Sequence, residues 1–268
     1  MKNTDLTNAL SSRKQSIARQ FASARDYDKH ADIQQQVCQL LLENIAHDNQ
    51  NSVLEVGAGT GQMTRLLAEN IQSKHWVINE LSDRQSPILQ SILPCANVVI
   101  GDAETIDLGN HHSLIISANA VQWFDNPLSF IQQSYKRLES GGQLLLNTFT
   151  PNNFLQIKKL TGQGLAYPSI DAWQLALEAS GFEQIELLTH RFELTFAHPY
   201  DVLKHMKLTG VSTNQTATLS NNKPFRWTKA RLQQFETAYW QQFSAHDDHG
   251  QLCVNLTYDV LMMSAVKP

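Results

Sequence analysis

The chain has 268 residues, 42% hydrophobic and 17% charged, so it can bury a sizeable core, and its composition is not that of a disordered chain. Cys38, Cys95 and Cys253 are far apart and form no C-x-x-C pair, which excludes a disulfide framework or zinc site and predicts small buried hydrophobes. The net charge of −4 is unevenly laid out: Arg13, Lys14, Arg19 and Arg25 in 11–25, and Lys204, Lys207, Lys223, Arg226, Lys229 and Arg231 in 202–235, stand without any acid, leaving −14 elsewhere.

Residues 1–20 lack the apolar centre of a signal peptide, and no apolar run reaches bilayer length, which predicts a cytoplasmic protein. Ile33, Val37, Leu40, Leu41 and Ile45 share one helical face, and no proline or glycine interrupts them. They predict an N-terminal helical arm over 1–46. At 52–56 the period changes to that of a short apolar strand, and 61–71 returns to helical spacing through Met63, Leu66 and Leu67. The alternation continues with strand 75–80, helix 83–93, strand 97–101, strand 113–118, helix 128–138 and strand 142–149. Stretches such as 114–117 and 144–146 have no polar side, as in a sheet covered by helices on both faces. The fold class is therefore α/β, with a Rossmann-like, mostly parallel sheet. Further on, a helix over 170–180 stops at Gly181 and a strand region covers 185–196. Helices near 200–208 and 228–243, joined by a Ser/Thr/Asn-rich loop, predict an inserted cap over 198–250. The β-prone stretch 252–266 then returns to the sheet as an antiparallel last strand. The core accordingly takes 47–197 and 251–268.

In 53–61 the first strand runs straight into Gly57, Ala58, Gly59, Thr60 and Gly61, and a helix starts as the glycines end. Glycines allow a sharp backbone turn that leaves room for a ligand. A dinucleotide fingerprint is G-x-G-x-x-G, whereas the spacing here is G-x-G-x-G. Glu55, two residues before the first glycine, is badly placed beside a pyrophosphate and well placed to attract an ammonium, directly or through water. S-adenosylmethionine carries an ammonium and no phosphate. Glu80 ends the second strand 23 residues after Gly57, with Leu81 beside it, where a carboxylate can accept from both hydroxyls of a ribose. Asp102 follows the third strand and can accept from the exocyclic amine of adenine, while the Ala103 amide meets a ring nitrogen. Each residue alone has a bland explanation as a turn or strand end. Together they lie at successive strand ends on the edge where open α/β sheets bind ligands, and Asn119, after the fourth strand, joins that cofactor set. The pattern matches the class I methyltransferases.

A narrower resemblance follows. Asn119-Ala120-Val121-Gln122-Trp123 resembles the A-V-Q-W signature of the malonyl-[acyl-carrier protein] O-methyltransferase family, which opens one route to biotin and has relatives that methylate other carboxylic acids. The arm, from Phe21 to Gln34, resembles that family's F-x-x-A-x-x-Y-x-x-H-A-x-x-Q, and the cap resembles it at 205–211. The resemblance implies methyl transfer from S-adenosylmethionine to the free carboxylate of a malonyl thioester, with S-adenosylhomocysteine as the other product. It implies that His30 belongs to the cofactor site, that Tyr27 closes over the methyl group, and that Gln122, Trp123 and Lys207 lie on the substrate side. Lys204 stands where the family has an arginine, so a bidentate grip on the substrate carboxylate becomes a point contact. Acyl-carrier proteins are acidic, so the ten uncompensated positive charges of arm and cap acquire a docking role. No metal, membrane or nucleic-acid partner is expected, and 246–249 reads as a polar loop rather than a metal cluster.

Rival readings keep the fold and change the task. One is methylation of another small acid or a quinone. A base methyltransferase is disfavoured because Asn119-Ala120-Val121-Gln122 replaces the N-P-P-Y-like sequence of amino-methylating enzymes. A third is a cofactor-binding protein without catalysis.

Overall fold

A computed structural model describes residues 10–23, 31–209 and 227–268. Two arm helices, α1 (Ser12–Ser23) and α2 (Asp32–Glu43), precede the sheet. The apolar face read from the sequence is present in α2, where Ile33, Val37, Cys38 and Leu41 are buried. Strands and helices then alternate as β1 (Asn49–Val56), α3 (Gln62–Asn70), β2 (Gln72–Glu80), α4 (Ser86–Ile92), β3 (Asn97–Ile100), β4 (His112–Ser117), α5 (Pro127–Arg137) and β5 (Leu138–Phe149). The expected helix over 83–93 is a 3₁₀ turn, Asp83–Gln85, followed by α4, because Pro87 suits the first turn of a helix and not its interior.

Next come α6 (Leu155–Thr161), α7 (Ile170–Ser180), β6 (Glu183–Phe196), α8 (Pro199–Leu208), α9 (Lys229–Phe243), β7 (Ser244–His246) and β8 (Leu252–Val266). Ser169 caps α7 by accepting from the Ala172 amide, and Gly181 ends it at φ +95°.

The sheet order is β3-β2-β1-β4-β5-β8-β6, with β7 pairing antiparallel to β8. The pairs β1·β2, β1·β4, β2·β3 and β4·β5 are parallel, and the C-terminal strands are antiparallel, which is the mixed α/β sheet expected. The last strand enters between β5 and β6.

The chain divides into two units. The first comprises Met1–Thr148, Ser169–Thr189 and Leu261–Pro268. Its core packs Leu54 and Val56 of β1, Ile115 of β4 and Leu144 and Leu146 of β5 with Phe130 and Trp173 from the helices. The second comprises Phe149–Pro168 and His190–Val260 and buries Phe154, Val202, Phe235, Tyr239 and Tyr258. There His205 Nε2 lies 2.7 Å from Tyr258 Oη, and the Tyr239 hydroxyl donates to the Asn255 carbonyl at 2.9 Å. Within 246–249, His246 ends β7 and 247–249 lie in the turn to β8, with Asp247 Oδ1 accepting from the His249 and Gln251 amides.

One expectation about the cysteines needs correction. Cys38 and Cys253 are buried, but Cys95 is exposed, because it follows Pro94 in the turn between α4 and β3. Among the described residues no helix is long and apolar enough to cross a membrane.

Candidate cofactor site

The turn after β1 is folded by the neighbouring strand ends. The Gly57 and Ala58 amides both donate to the Asn79 carbonyl at 3.0 Å, which bends the chain over the end of β2. Gly57, Gly59 and Gly61 have φ of +75°, +56° and +82°, a region that side chains with a Cβ enter only with strain. Asn79, buried after the apolar Trp76, Val77 and Ile78 of β2, reaches sideways with its Nδ2 to the Val99 and Gly101 carbonyls at 3.2 and 3.0 Å, tying β2 to the end of β3. On the other side the Ser117 hydroxyl donates to the Val56 carbonyl at 2.9 Å and fixes β4 against β1.

These strand ends enclose one cavity of the first unit. Its lining includes Glu55, Gly57, Ala58 and Gly59 from the first strand end, Glu80 and Leu81 from the second, Asp102 and Ala103 from the third, and Asn119 and Trp123 after the fourth. The sequence-predicted cofactor residues among the described ones are thereby brought together, with one exception. Gly61 is absent from the lining: a Cβ there would come 2.5 Å from Ile92 Cδ1 and 3.3 Å from Leu89 Cδ2, so its bareness serves the packing of α4. Gln122 also departs from the lining, because its Nε2 turns back to donate to the Asn119 carbonyl at 2.7 Å. Lys204 and Lys207 are exposed on α8, in the second unit. Tyr27 and His30 lie outside the described residues.

The carboxylates are set apart by their surroundings. Glu55 is 1% exposed and accepts from the Thr64 hydroxyl at 2.8 Å. Burial pushes its carboxyl up to about 7; the Thr64 hydrogen bond opposes this and the nearby Glu80 adds to it. Glu80, also buried, accepts from the Gly59 amide through Oε2 and from the Ser82 amide through Oε1, both at 2.9 Å. Its carboxyl too is raised by burial, with the amides of Ser82, Gly59 and Leu81 pulling the other way. Each Glu80 oxygen retains a second lone pair, enough to accept from two hydroxyls.

Three features of the site gave no sequence signal. Asn147, fully buried on β5, accepts from the Asn119 amide at 2.8 Å and donates to Asn119 Oδ1 at 3.0 Å. This clamp holds Asn119 at φ +54° on the cavity wall. Thr64, one turn into α3, is the hydroxyl that meets Glu55. The third is α1, whose Lys14, Ile17 and Ala18 line the cavity.

Here the charge reading of the arm is revised at two of its residues. Arg13 Nη1 donates to Asp125 Oδ1 at 2.5 Å and to the Trp123 and Phe124 carbonyls at 3.2 and 3.3 Å. The Lys14 ammonium is buried against Asp102 and Glu104. Two of the arm's four positive charges are therefore compensated by acids of the core that lie 88 to 112 residues away in sequence.

The residues fit an adenosine-bearing cation. At Gly57 a Cβ would come 2.4 Å from Ala120 Cβ, so two backbone segments close here as only glycine permits. A buried acid, a carboxylate between loop amides and a third acid after β3 supply acceptors for an ammonium, a diol and an amine.

A methyltransferase-domain family model matches residues 27–187. The chain is 35% identical over 264 residues to a malonyl-[acyl-carrier protein] O-methyltransferase of Haemophilus ducreyi, covering 95% of this chain and 97% of that protein. It is 36% identical over 255 residues to a protein of the same name from Porphyromonas gingivalis, covering 93% and 94%. The fold is similar to that of an N-methyltransferase of Bradyrhizobium japonicum solved with S-adenosyl-L-homocysteine, with a TM-score of 0.55 and 13% identity over 96% of this chain and all of that one (100%).

Proposed function

Because the chain belongs to the malonyl-[acyl-carrier protein] O-methyltransferase family of S-adenosylmethionine-dependent enzymes, we propose that it methylates the free carboxylate of malonyl-[acyl-carrier protein]. The product is the malonyl methyl ester that primes biotin synthesis, and the setting is the cytoplasm. The observation that carries this reading is the full-length match to the named relatives, joined to a cavity built from the glycine turn and three acids at successive strand ends. S-adenosylmethionine, when bound, supplies an electrophilic methyl group on a sulfonium.

The chain's own residues then have positional duties. Glu55 attracts the ammonium of the amino-acid end, Glu80 accepts from the ribose hydroxyls, and Asp102 accepts from the exocyclic amine of the base. No general base is needed, since an aliphatic carboxylic acid of reference pKa near ~4 is already ionised at neutral pH. What the enzyme adds is alignment and the exclusion of water. Lys204 holds the substrate carboxylate by a point contact that leaves its lone pair nucleophilic, and Tyr27 closes over the reacting methyl. Trp123, which lines the cavity, borders the substrate, whereas the Asn119 carbonyl holds the Gln122 carboxamide outside that lining.

Docking of the acidic carrier falls to the cap. Lys204, Lys207 and Lys229 are exposed there, and Arg13 and Lys14 of the arm pair with acids of the core. The test is incubation with isotopically labelled S-adenosylmethionine and malonyl-carrier protein, followed by mass analysis of the released acyl group. One labelled methyl on the malonyl carboxylate is expected. Equal methylation of free small acids, or none of the carrier-bound group, would overturn the reading.

A further inference from the structure

Lys14 is 4% exposed, and its ammonium meets Asp102 Oδ2 at 2.5 Å and Glu104 Oε2, with Asp125 Oδ2 3.6 Å away. Such a charge is tolerated out of water only when paired. Burial alone lowers the pKa of this lysine and is the largest single influence, but the hydrogen bonds to Asp102 and Glu104 and the charges of both acids together outweigh it and leave the pKa above the usual value, so Lys14 stays an ammonium at neutral pH. Glu104 is itself committed: its Oε2 also accepts from the Asp125 amide at 2.8 Å and its Oε1 from the Asn126 amide at 2.7 Å. Asp102 Oδ1 accepts from the Glu104 amide at 3.1 Å. The Lys14 ammonium and the amides of Glu104, Asp125 and Asn126 all donate to these two carboxylates, so Asp102 enters the cavity wall as an acceptor.

An acceptor selects a ligand edge that donates. A 6-aminopurine offers an amine at that edge, and a 6-oxopurine offers a carbonyl oxygen. Without the ammonium, two carboxylates that now share one nitrogen would repel each other, and Asp102 would lose the contact that fixes its Oδ2 at the cavity wall. An Asp102 displaced in this way no longer presents its acceptor to the base edge, and the preference fades.

We propose that Lys14 is a positioning residue for base selection, holding Asp102 in place as an acceptor so that the cavity chooses a 6-aminopurine nucleoside over a 6-oxopurine one. The proposal rests on the reading that Asp102 faces the base. Lys14 does this from α1, so the arm takes part in reading the cofactor.

The test is calorimetric binding of S-adenosylhomocysteine and S-inosylhomocysteine to the parent chain and to Lys14→Met, Lys14→Gln and Asp102→Asn. The readout is the ratio of the two affinities, which needs no turnover. The parent is expected to prefer the adenosyl ligand by roughly a hundredfold or more, the scale on which a polar site rejects a mismatched partner. In Lys14→Met the ratio should fall at least about tenfold, and in Lys14→Gln by less, since a neutral amide still donates but carries no charge. If both ligands weaken equally in Lys14→Met, α1 is only a wall and the proposal fails. If Lys14→Met does not fold, Lys14→Gln decides, and a parental ratio there overturns the proposal. Asp102→Asn separates the two levels. A ratio unchanged in Asp102→Asn sinks the base-facing reading and the proposal with it, whereas a collapsed ratio there beside parental ratios in both Lys14 variants sinks the proposal alone.

Discussion

Adding a single methyl group at Gly57 and at Gly59 separates the two duties of the glycine turn. At Gly57 the backbone has φ +75°, and the new Cβ would lie 2.4 Å from Ala120 Cβ. Carbons in contact rest about 3.5–4.0 Å apart, so more than ~1 Å must be opened. Ala120 offers no rotamer that could turn away, so the backbone itself has to move. Overpacking of this kind costs about 1–3 kcal/mol, and left-handed backbone adds about 1–2 kcal/mol, giving about 2–5 kcal/mol for Gly57→Ala. At Gly59 the backbone is also left-handed, φ +56°, but nothing lies within 4 Å of the added carbon. Its cost to folding is the strain alone, about 1–2 kcal/mol. Because Gly59 lines the cavity, its methyl intrudes on whatever the cavity holds. Urea denaturation should therefore show the larger loss for Gly57→Ala, and calorimetry with S-adenosylhomocysteine should show at least about a tenfold affinity loss for the well-folded Gly59→Ala, equivalent to about 1.4 kcal/mol. Parental affinity in Gly59→Ala, or equal stability of the two variants, would refute the assignment of the turn.

Glu55 makes stability depend on pH. Its folded carboxyl is raised from 4.5 to about 7, so its favourable contribution is complete below pH 4.5 and is lost as pH rises through about 7. The shift corresponds to about 3 kcal/mol at 1.36 kcal/mol per unit. Denaturation midpoints of the ligand-free protein should fall across that window, and Glu55→Gln should flatten the fall; an unaltered slope would mean that Glu55 is ionised throughout. Asn147→Ala leaves the Asn119 amide and Oδ1 without their partner, at about 1–3 kcal/mol each, so a lower denaturation midpoint and weaker binding of S-adenosylhomocysteine are expected together. Loss of stability with parental affinity would show that the clamp does not shape the site. Reversing Lys204 and Lys207 to Glu should raise KM for malonyl-carrier protein roughly tenfold at low salt, an effect that shrinks as salt is added, with affinity for S-adenosylhomocysteine unchanged. A KM independent of both changes would remove the cap from docking.

What could be read from the sequence was what local patterning encodes. The period change at 52–56, the glycine spacing of 57–61 and the apolar runs of β4 and β5 each announce themselves within a few residues, and α7 and β8 were bounded correctly. Elements without a local signal were missed. Helix α6 has seven residues and no side-chain cap, and it is entered through Phe154 at φ +53°. Strand β7 has three residues and exists through its pairing with β8. The same limit applied within the site. Glu55, Glu80 and Asp102 sit at strand ends that topology makes visible, whereas the Asn147 clamp joins residues 28 apart and looks, in sequence, like a polar residue that merely follows the apolar Leu144, Leu145 and Leu146. Gly61 shows the opposite error: it belongs to the glycine motif, yet its space is filled by Leu89 and Ile92.

The arm carries this argument furthest. A run of basic residues without nearby acids reads as a free positive surface, because sequence counts only neighbours along the chain. In the folded chain the acids that matter to Arg13 and Lys14 come from the loops after β3 and β4, and those are the loops that border the cavity. Charges placed there cannot also serve as an open landing surface for an acidic carrier. They join the Asp102–Glu104 turn to the segment ending at Asp125, so an electrostatic feature that suggested a partner has become part of the wall around a small ligand. For the proposed docking on the exposed Lys204 and Lys207, screening by salt should weaken carrier binding well before it weakens the buried contacts that shape the cavity.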